Sequence, residues 1–226
     1  FSIVEYTHIM SITRQNLSVI IVSYKSDYVI ENCINSIHSE IEIVIVDNSN
    51  NDQLKEKIET KYKNVKYILS KENLGMGAGN NLGIKNVNKD FVLILNPDVT
   101  LEKSSIDEII IASEEIENFG IIAPLSDKSE YPNYTLKKKT DFDPIKPFKV
   151  KSVDGYAMLL NLKKLKKLND FYFFDENFFL YLENEDLCLR LEKNDFDPTK
   201  PFKVKSVDGY AMLLNLRKLK KLNDFY

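Results

Sequence analysis

The chain has 226 residues, which suits one principal domain at the usual ~150 residues apiece. Its 43% hydrophobic against 29% charged content is too apolar for disorder, and no apolar run reaches the ~18–20 residues of a membrane span. A net charge of −3 carries no basic footprint, so nucleic acid is not an expected partner.

In chain order, Met10 reads as a start, leaving residues 1–9 outside the fold. Short β-branched runs follow at Ser18–Ser23, Ile41–Val46, Val65–Leu69 and Phe91–Leu95, with a further run at Ile121–Leu125. Runs of this length and composition are expected of strands buried on both faces of a parallel sheet. Between the first two, Ile30, Cys33, Ile34 and Ile37 share one helical face. Ser105 followed by Glu108 reads as a capping box opening a helix over Ile106–Asn118. Val153–Asn161 reads as a strand, with helices at Leu162–Leu168 and Glu183–Lys193. Alternating strand and helix predicts an α/β fold with a mainly parallel sheet covered on both faces.

In such sheets ligands bind beyond the carboxyl ends of the strands. The first turn, Ser23-Tyr24-Lys25-Ser26-Asp27, has no glycine, which excludes G-x-G-x-x-G, and no G-x-x-x-x-G-K-[ST] occurs. After the second strand, Asp47-Asn48-Ser49 reads either as an acceptor for a base or ribose or as an Asx-turn. Four of the seven glycines, Gly75, Gly77, Gly79 and Gly83, lie within nine residues. With Asn80 and Asn81 they read either as a flexible turn or as donors to a diphosphate at a helix start. Asn96-Pro97-Asp98 reads as turn chemistry or as the edge carboxylate of a Mg²⁺ or Mn²⁺ site shared with phosphates. Glu183, Asp186 and Arg190 share one helix stripe, an arrangement that also suits the helix dipole.

Taken together, SVIIVSYKS at 18–26, IVIVDNS at 43–49, NLGMGAGNNLGI at 73–84 and LILNPDV at 93–99 resemble the inverting family 2 glycosyltransferases, as do VDGYAML at 153–159 and FDENFFLYLENEDLCLRL at 174–191. The rhamnosyltransferase-like group is the most similar. The resemblance implies a GT-A fold, a Rossmann-like mainly parallel sheet flanked by helices. It implies that Ser23, Tyr24, Asp47, Asn48, Gly75, Gly79, Asn80, Asn96, Asp98, Asp154 and Gly155 hold a nucleotide-sugar, with Asp47 at the base. Asp98 would bind the metal, Mg²⁺ or Mn²⁺, in a DxD-like element relaxed to Asn-Pro-Asp. Glu-Asp-x-Asp in the family reads Glu183-Asn184-Glu185-Asp186 here; asparagine cannot take a proton, so Glu183 is the expected base and Asp186 the fallback.

The expected partners are a dTDP- or UDP-sugar donor and a glycan or lipid-linked glycan acceptor, in cell-surface polysaccharide or lipopolysaccharide synthesis. Two alternatives share the same residues: a GT-A scaffold that binds nucleotide-sugar without turnover, and a non-functional duplicated fragment. Cys33 and Cys188 match neither a disulfide framework nor a zinc site, which suits a reducing, cytoplasmic compartment; a place at the inner face of the membrane is what the resemblance implies. The lysine-rich segments at 163–168 and 218–221 read as a solvated face or as a peripheral contact with anionic lipid. Asp141–Tyr172 recurs as Asp195–Tyr226 with two changes, Ile145 against Thr199 and Lys163 against Arg217. The domain expectation is therefore an extension over 1–16, a C-terminally truncated GT-A body over 17–194, and a poorly docked copy over 195–226.

Overall fold

The computed structural model describes residues 11–116, 119–125, 132–136, 147–166, 172–193, 197–199 and 202–203. Strands β1 (Leu17–Ser23), β2 (Glu42–Asp47), β3 (Val65–Leu69) and β4 (Phe91–Leu95) are each followed by a helix. The helices are α1 (Ile30–Asn35), α2 (Asp52–Lys61), α3 (Gly75–Lys85) and α4 (Ser105–Glu114). Then come β5 (Phe119–Ile122), β6 (Pro124–Leu125), β7 (Tyr134–Thr135), β8 (Ser152–Val153) and β9 (Ala157–Asn161). The chain continues through α5 (Leu162–Leu165), α6 (Glu183–Lys193), β10 (Asp197–Thr199) and β11 (Phe202–Lys203).

The main sheet runs β10-β5-β9-β4-β1-β2-β3. β3, β2, β1 and β4 are parallel, and β9 inserts antiparallel between β4 and β5. Sheet growth therefore reverses between β1 and β4, a topological switch point, the place where such sheets take ligands beyond the strand ends. Because side chains alternate across a strand, β1 feeds two cores. Val19 and Ile21 pack with Cys33 of α1, Ile58 of α2 and Ile109 of α4. Ile20 packs on the other face with Ile84 of α3, Leu165 of α5 and Leu187 of α6. Each such side chain contributes about 1.5–3 kcal/mol by leaving water. That burial, rather than helix propensity, holds a helix as short as α1.

Three expectations shift. The run Ile121–Leu125 is divided between β5 and β6, since Pro124 brings no N–H to a ladder. The predicted strand Val153–Asn161 is broken by a turn at Asp154-Gly155-Tyr156, leaving β8 and β9 on either side. The helix at 105 starts one residue earlier than a Ser105 cap allows. Ser104 is its N-cap, and the Ser104 hydroxyl donates to Glu108 at 2.9 Å. Glu183–Lys193 is helical as predicted.

The first copy of the duplicated segment supplies β8, β9 and α5. In the second, β10 lies parallel to β5 and β11 parallel to β6. Most of the expected poorly docked copy, and the extension before residue 11, lie outside the described residues. Among the described residues no helix is long and apolar enough to cross a membrane.

Candidate active site

The carboxyl ends of β1 and β2 meet side by side, with Ser23 in register with Asp47. The Asn48 amide donates to the Ser23 carbonyl at 2.8 Å and locks the two ends together. Ser23 is fully buried, yet its Oγ has no hydrogen-bond partner. The Asp47 carboxylate, also fully buried, accepts from the Ser49 amide at 2.9 Å, the Ser49 hydroxyl and the Asn51 amide at 2.9 Å. It thus builds the β2–α2 turn, in which Asn50 takes a left-handed φ of 54°. The Tyr67 hydroxyl is buried nearby, and burial together with the Asp47 charge pushes its pKa up.

Across this turn lies the β1–α1 loop, where Tyr24 is half-exposed and Lys25, at φ 53°, sets its ammonium 5.2 Å from the Tyr24 ring centre. A cleft of about 560 Å³ opens between the two loops, lined by Lys25, Asp27, Tyr28, Asn50, Asn51 and Gln53. Asn51 donates to Asp27 across the loop–loop gap at 3.1 Å.

The glycine-rich segment joins the same rim through Asn48, whose Nδ2 donates to the Gly75 carbonyl at 3.1 Å. The structure gives these glycines a job different from the expected diphosphate cradle. The first turn of α3 is covered by the loop before α6, and the Met76 amide donates to the Phe179 carbonyl at 2.8 Å. Gly75 has φ 73°, and a Cβ there would collide with that carbonyl. A Cβ at Gly79 would lie 2.8 Å from Val22 Cγ1, and one at Gly83 would lie 2.5 Å from Ile20 Cγ2, so both let α3 sit close on β1. Asn81 pins the covering loop, donating to the Phe174 carbonyl at 2.8 Å and accepting from the Phe174 amide at 3.1 Å. Asn80 is buried with its Oδ1 unpartnered.

On the far side of the switch point stands Asn96-Pro97-Asp98. The Asn96 amide donates to the Tyr156 carbonyl at 2.9 Å, and the Cys33 thiol points to the Asn96 carbonyl at 3.6 Å. Asn96 Oδ1 has no partner. Asp98 is half-buried, and desolvation raises its pKa. Its charge is felt at Cys33, whose thiol is pushed up to about 12 by burial first and by Asp98 second. Next along the rim, the Asp154 amide donates to the Asn133 carbonyl at 2.9 Å. The Asp154 carboxyl is raised by burial and then by the charge of Glu185.

α6 completes the rim. Asn184 donates through Nδ2 to the Val153 carbonyl, and its Cβ lies 3.6 Å from where a side chain on Gly155 would begin. Just before the helix, Tyr181 and Leu182 take φ of 69° and 70° although neither is glycine. Positive φ at such residues costs on the order of 1–3 kcal/mol each. Their side chains stay 48% and 53% exposed, while the turn they make delivers Glu183 into the interior. Burial raises the Glu183 pKa, and its Oε2 has no partner. Asp186, by contrast, is taken: Arg190 Nε donates to its Oδ2 at 2.7 Å, and the guanidinium also donates to the Tyr172 and Phe173 carbonyls, both at 2.6 Å.

Hydrogen bonds thus tie the Asp47 turn to the start of α3, α3 to the loop before α6, α6 to the Asp154 turn, and that turn to Asn96 beside Asp98. Ser23 Oγ, Asn80 Oδ1, Asn96 Oδ1 and Glu183 Oε2 are buried there without partners. Buried polar atoms are ordinarily satisfied, so unpartnered ones on the elements that meet at the switch point are candidates for contact with a polar ligand. The chain belongs to glycosyl transferase family 2. Residues 18–180 match the sequence model of that family. The chain is 30% identical over 200 residues to the low-salt glycan biosynthesis hexosyltransferase Agl10 of Haloferax volcanii, covering 80% of this chain and 63% of that one.

Among solved structures, the fold of this family 2 chain is shared with S. aureus TarS 1-349 in complex with UDP-GlcNAc. The TM-score is 0.62 at 20% identity, over 85% of this chain and 57% of the other. It is shared too with mannosyltransferase PcManGT from Pyrobaculum calidifontis in complex with GDP-Man and Mn²⁺, with a TM-score of 0.63 at 13% identity, over 91% and 61%. The chain therefore spans about three-fifths of the length of these relatives.

A divalent cation fits the family 2 rim at the Asn96–Asp98 turn. Asp98 offers one half-buried carboxylate and Asn96 one orphaned amide oxygen. Mg²⁺ and Mn²⁺ commonly take one or two such oxygens and fill their shell with phosphate and water. Among the described residues no three His, Cys, Asp or Glu side chains gather into a self-contained metal site. The turn thus suits an ion shared with a ligand.

Sequence reasoning missed the Arg190–Asp186 tie, the Asp154–Glu185 proximity and the Tyr67 hydroxyl. Only the i,i+4 spacing of Asp186 and Arg190 carried a signal for any of them.

Proposed function

We propose that this chain is a glycosyltransferase that moves a hexose from a UDP- or dTDP-sugar to a hydroxyl of a glycan or lipid-linked glycan, with inversion at the anomeric carbon. The observation that carries the reading is the Glu183 carboxyl. It is buried at the start of α6 and raised in pKa, and its Oε2 has no partner. Catalytic bases are tuned by burial in this way. Two lines of similarity support the substrate class. Agl10 is named a hexosyltransferase, and the solved neighbours hold UDP-GlcNAc or GDP-Man.

In this reading the nucleoside occupies the cleft between the β1–α1 and β2–α2 loops, with Ser23, Tyr24 and Asn48 at the adjoining strand ends. Asp47 acts through the turn it organises, since three donors already engage its carboxylate. Asn96 and Asp98 hold the cation, which when bound offsets charge on the departing diphosphate. Asp154 and Gly155 line the sugar. Glu183 accepts the acceptor's hydroxyl proton as that oxygen attacks the anomeric carbon. The bond from that carbon to the diphosphate breaks as the new one forms, and the nucleoside diphosphate leaves with the electron pair. Proton removal of this kind is worth roughly 10²–10⁴-fold.

Purified protein with Mn²⁺ or Mg²⁺ is expected to bind at least one of a panel of UDP-, dTDP- and GDP-sugars and release its nucleoside diphosphate. Absence of binding across the panel overturns the reading. Binding without any release leaves the non-catalytic scaffold in its place.

A further inference from the structure

Asn184 stands where the family pattern places an acid, and its contacts give it another occupation. Its amide nitrogen donates to the Val153 carbonyl, and its Cβ packs against the face of Gly155. The Asp154-Gly155 turn and the first turn of α6 are thereby tied together. An ionised carboxylate cannot make this bond, because it only accepts and so would face an oxygen with an oxygen. The surroundings are already acidic. Glu183 and Glu185 flank it on α6, and Asp154 sits across the contact, near enough to feel the charge of Glu185. The Asp186–Arg190 pair is internally neutral, Cys188 keeps its proton to about 12, and Lys151 precedes β8 at the surface.

We infer that Asn184 is a positioning residue, a neutral clamp that holds the Asp154-Gly155 turn against the start of α6 where an aspartate would push them apart. Its consequence for transfer rests on the glycosyltransferase reading; the clamp itself does not. The acid is therefore not a lost base waiting to be restored, and Asn184→Asp is the decisive variant.

The first measurement needs no donor: melting temperature against pH for wild type, N184D and N184A. A carboxylate at this place gains a raised pKa in the fold, so the folded state holds its proton more tightly. Its protonated form donates to the carbonyl as the amide does. The N184D deficit should thus be widest near pH 8 and narrow as pH falls toward the ~4 of an unfolded aspartate. N184A should show a deficit that does not change with pH. No N184D deficit, or one independent of pH, overturns the clamp.

The second measurement is turnover. N184D should lose on the order of tenfold or more in kcat/KM at pH 8, with partial recovery toward pH 5.5. Transfer by N184D faster than wild type at pH 8 would mean that the position wants a base and would overturn the inference. If wild type transfers from no donor, the functional reading fails while the melting curves still decide the clamp.

Discussion

Glu183 and Glu31 are two glutamates pushed in opposite directions. Glu183 is buried without a partner for Oε2, so its folded pKa is raised. A raised acid favours the protonated fold, and ionising it costs stability as pH climbs past the unfolded value of 4.5. E183Q should therefore melt higher than wild type above about pH 5, with the gain vanishing below about pH 4. The same variant should transfer roughly 10²–10⁴-fold more slowly. Full activity in E183Q would remove Glu183 as base.

Glu31 lies on α1, bonded to Lys57 and Lys61 of α2 at 2.5 Å each, and these ammonium groups hold its carboxyl down at about 2. A depressed acid contributes stability above the unfolded value of 4.5, and loses it as pH falls toward 2. E31Q should flatten the acid limb of the melting-temperature curve between pH 5 and pH 3. Both lysines are more than half exposed, so salt should shrink the difference. An unchanged acid limb would show that the pair contributes nothing.

Among elements, α3 shows what glycine spacing meant. The Gly75–Gly83 cluster was legible as a close approach, but the approaching group is the chain itself: Phe179 at Gly75, and Val22 and Ile20 at Gly79 and Gly83. One sequence cannot distinguish a ligand's backbone contact from a loop's, because both need the missing Cβ. G83A should cost about 1–3 kcal/mol by overpacking Ile20. G75A should cost at least as much, since it adds positive-φ strain and breaks the Met76–Phe179 bond. Denaturant titration of both checks this, and a neutral G75A would mean that the loop over α3 is dispensable.

The strands were legible because β1, β2 and β4 are short, almost wholly apolar runs containing β-branched residues. The direction of β9 was not, since AMLLN reads the same in either sense. The Asp154-Gly155 turn that splits its run carries its own signal, Asp-Gly, which the apolar residues on both sides masked. The bond that engages Asp186, the fallback base, was hidden for a similar reason. The stripe that shows it near Arg190 does not show that Arg190 also needs it, while gripping the Tyr172 and Phe173 carbonyls.

At the scale of the whole molecule, the reversal of strand order between β1 and β4 explains why one rim can gather Asp47, Asp98, Asp154 and Glu183 from four separate stretches of chain. β9 enters antiparallel, so its beginning lies level with the end of β4, and Leu95 pairs with Ala157. That brings the Asp154 turn to the carboxyl edge, and the Val153–Asn184 bond brings α6 after it. The proposed chemistry requires this rim to grip a diphosphate through a cation at Asp98. Calorimetric titration of a bound nucleotide-sugar into wild type and D98N, with and without Mn²⁺, tests it most directly. Wild type should bind at least tenfold more tightly with Mn²⁺, and D98N should lose that gain. Equal affinity of the two proteins in the presence of Mn²⁺ would contradict the account.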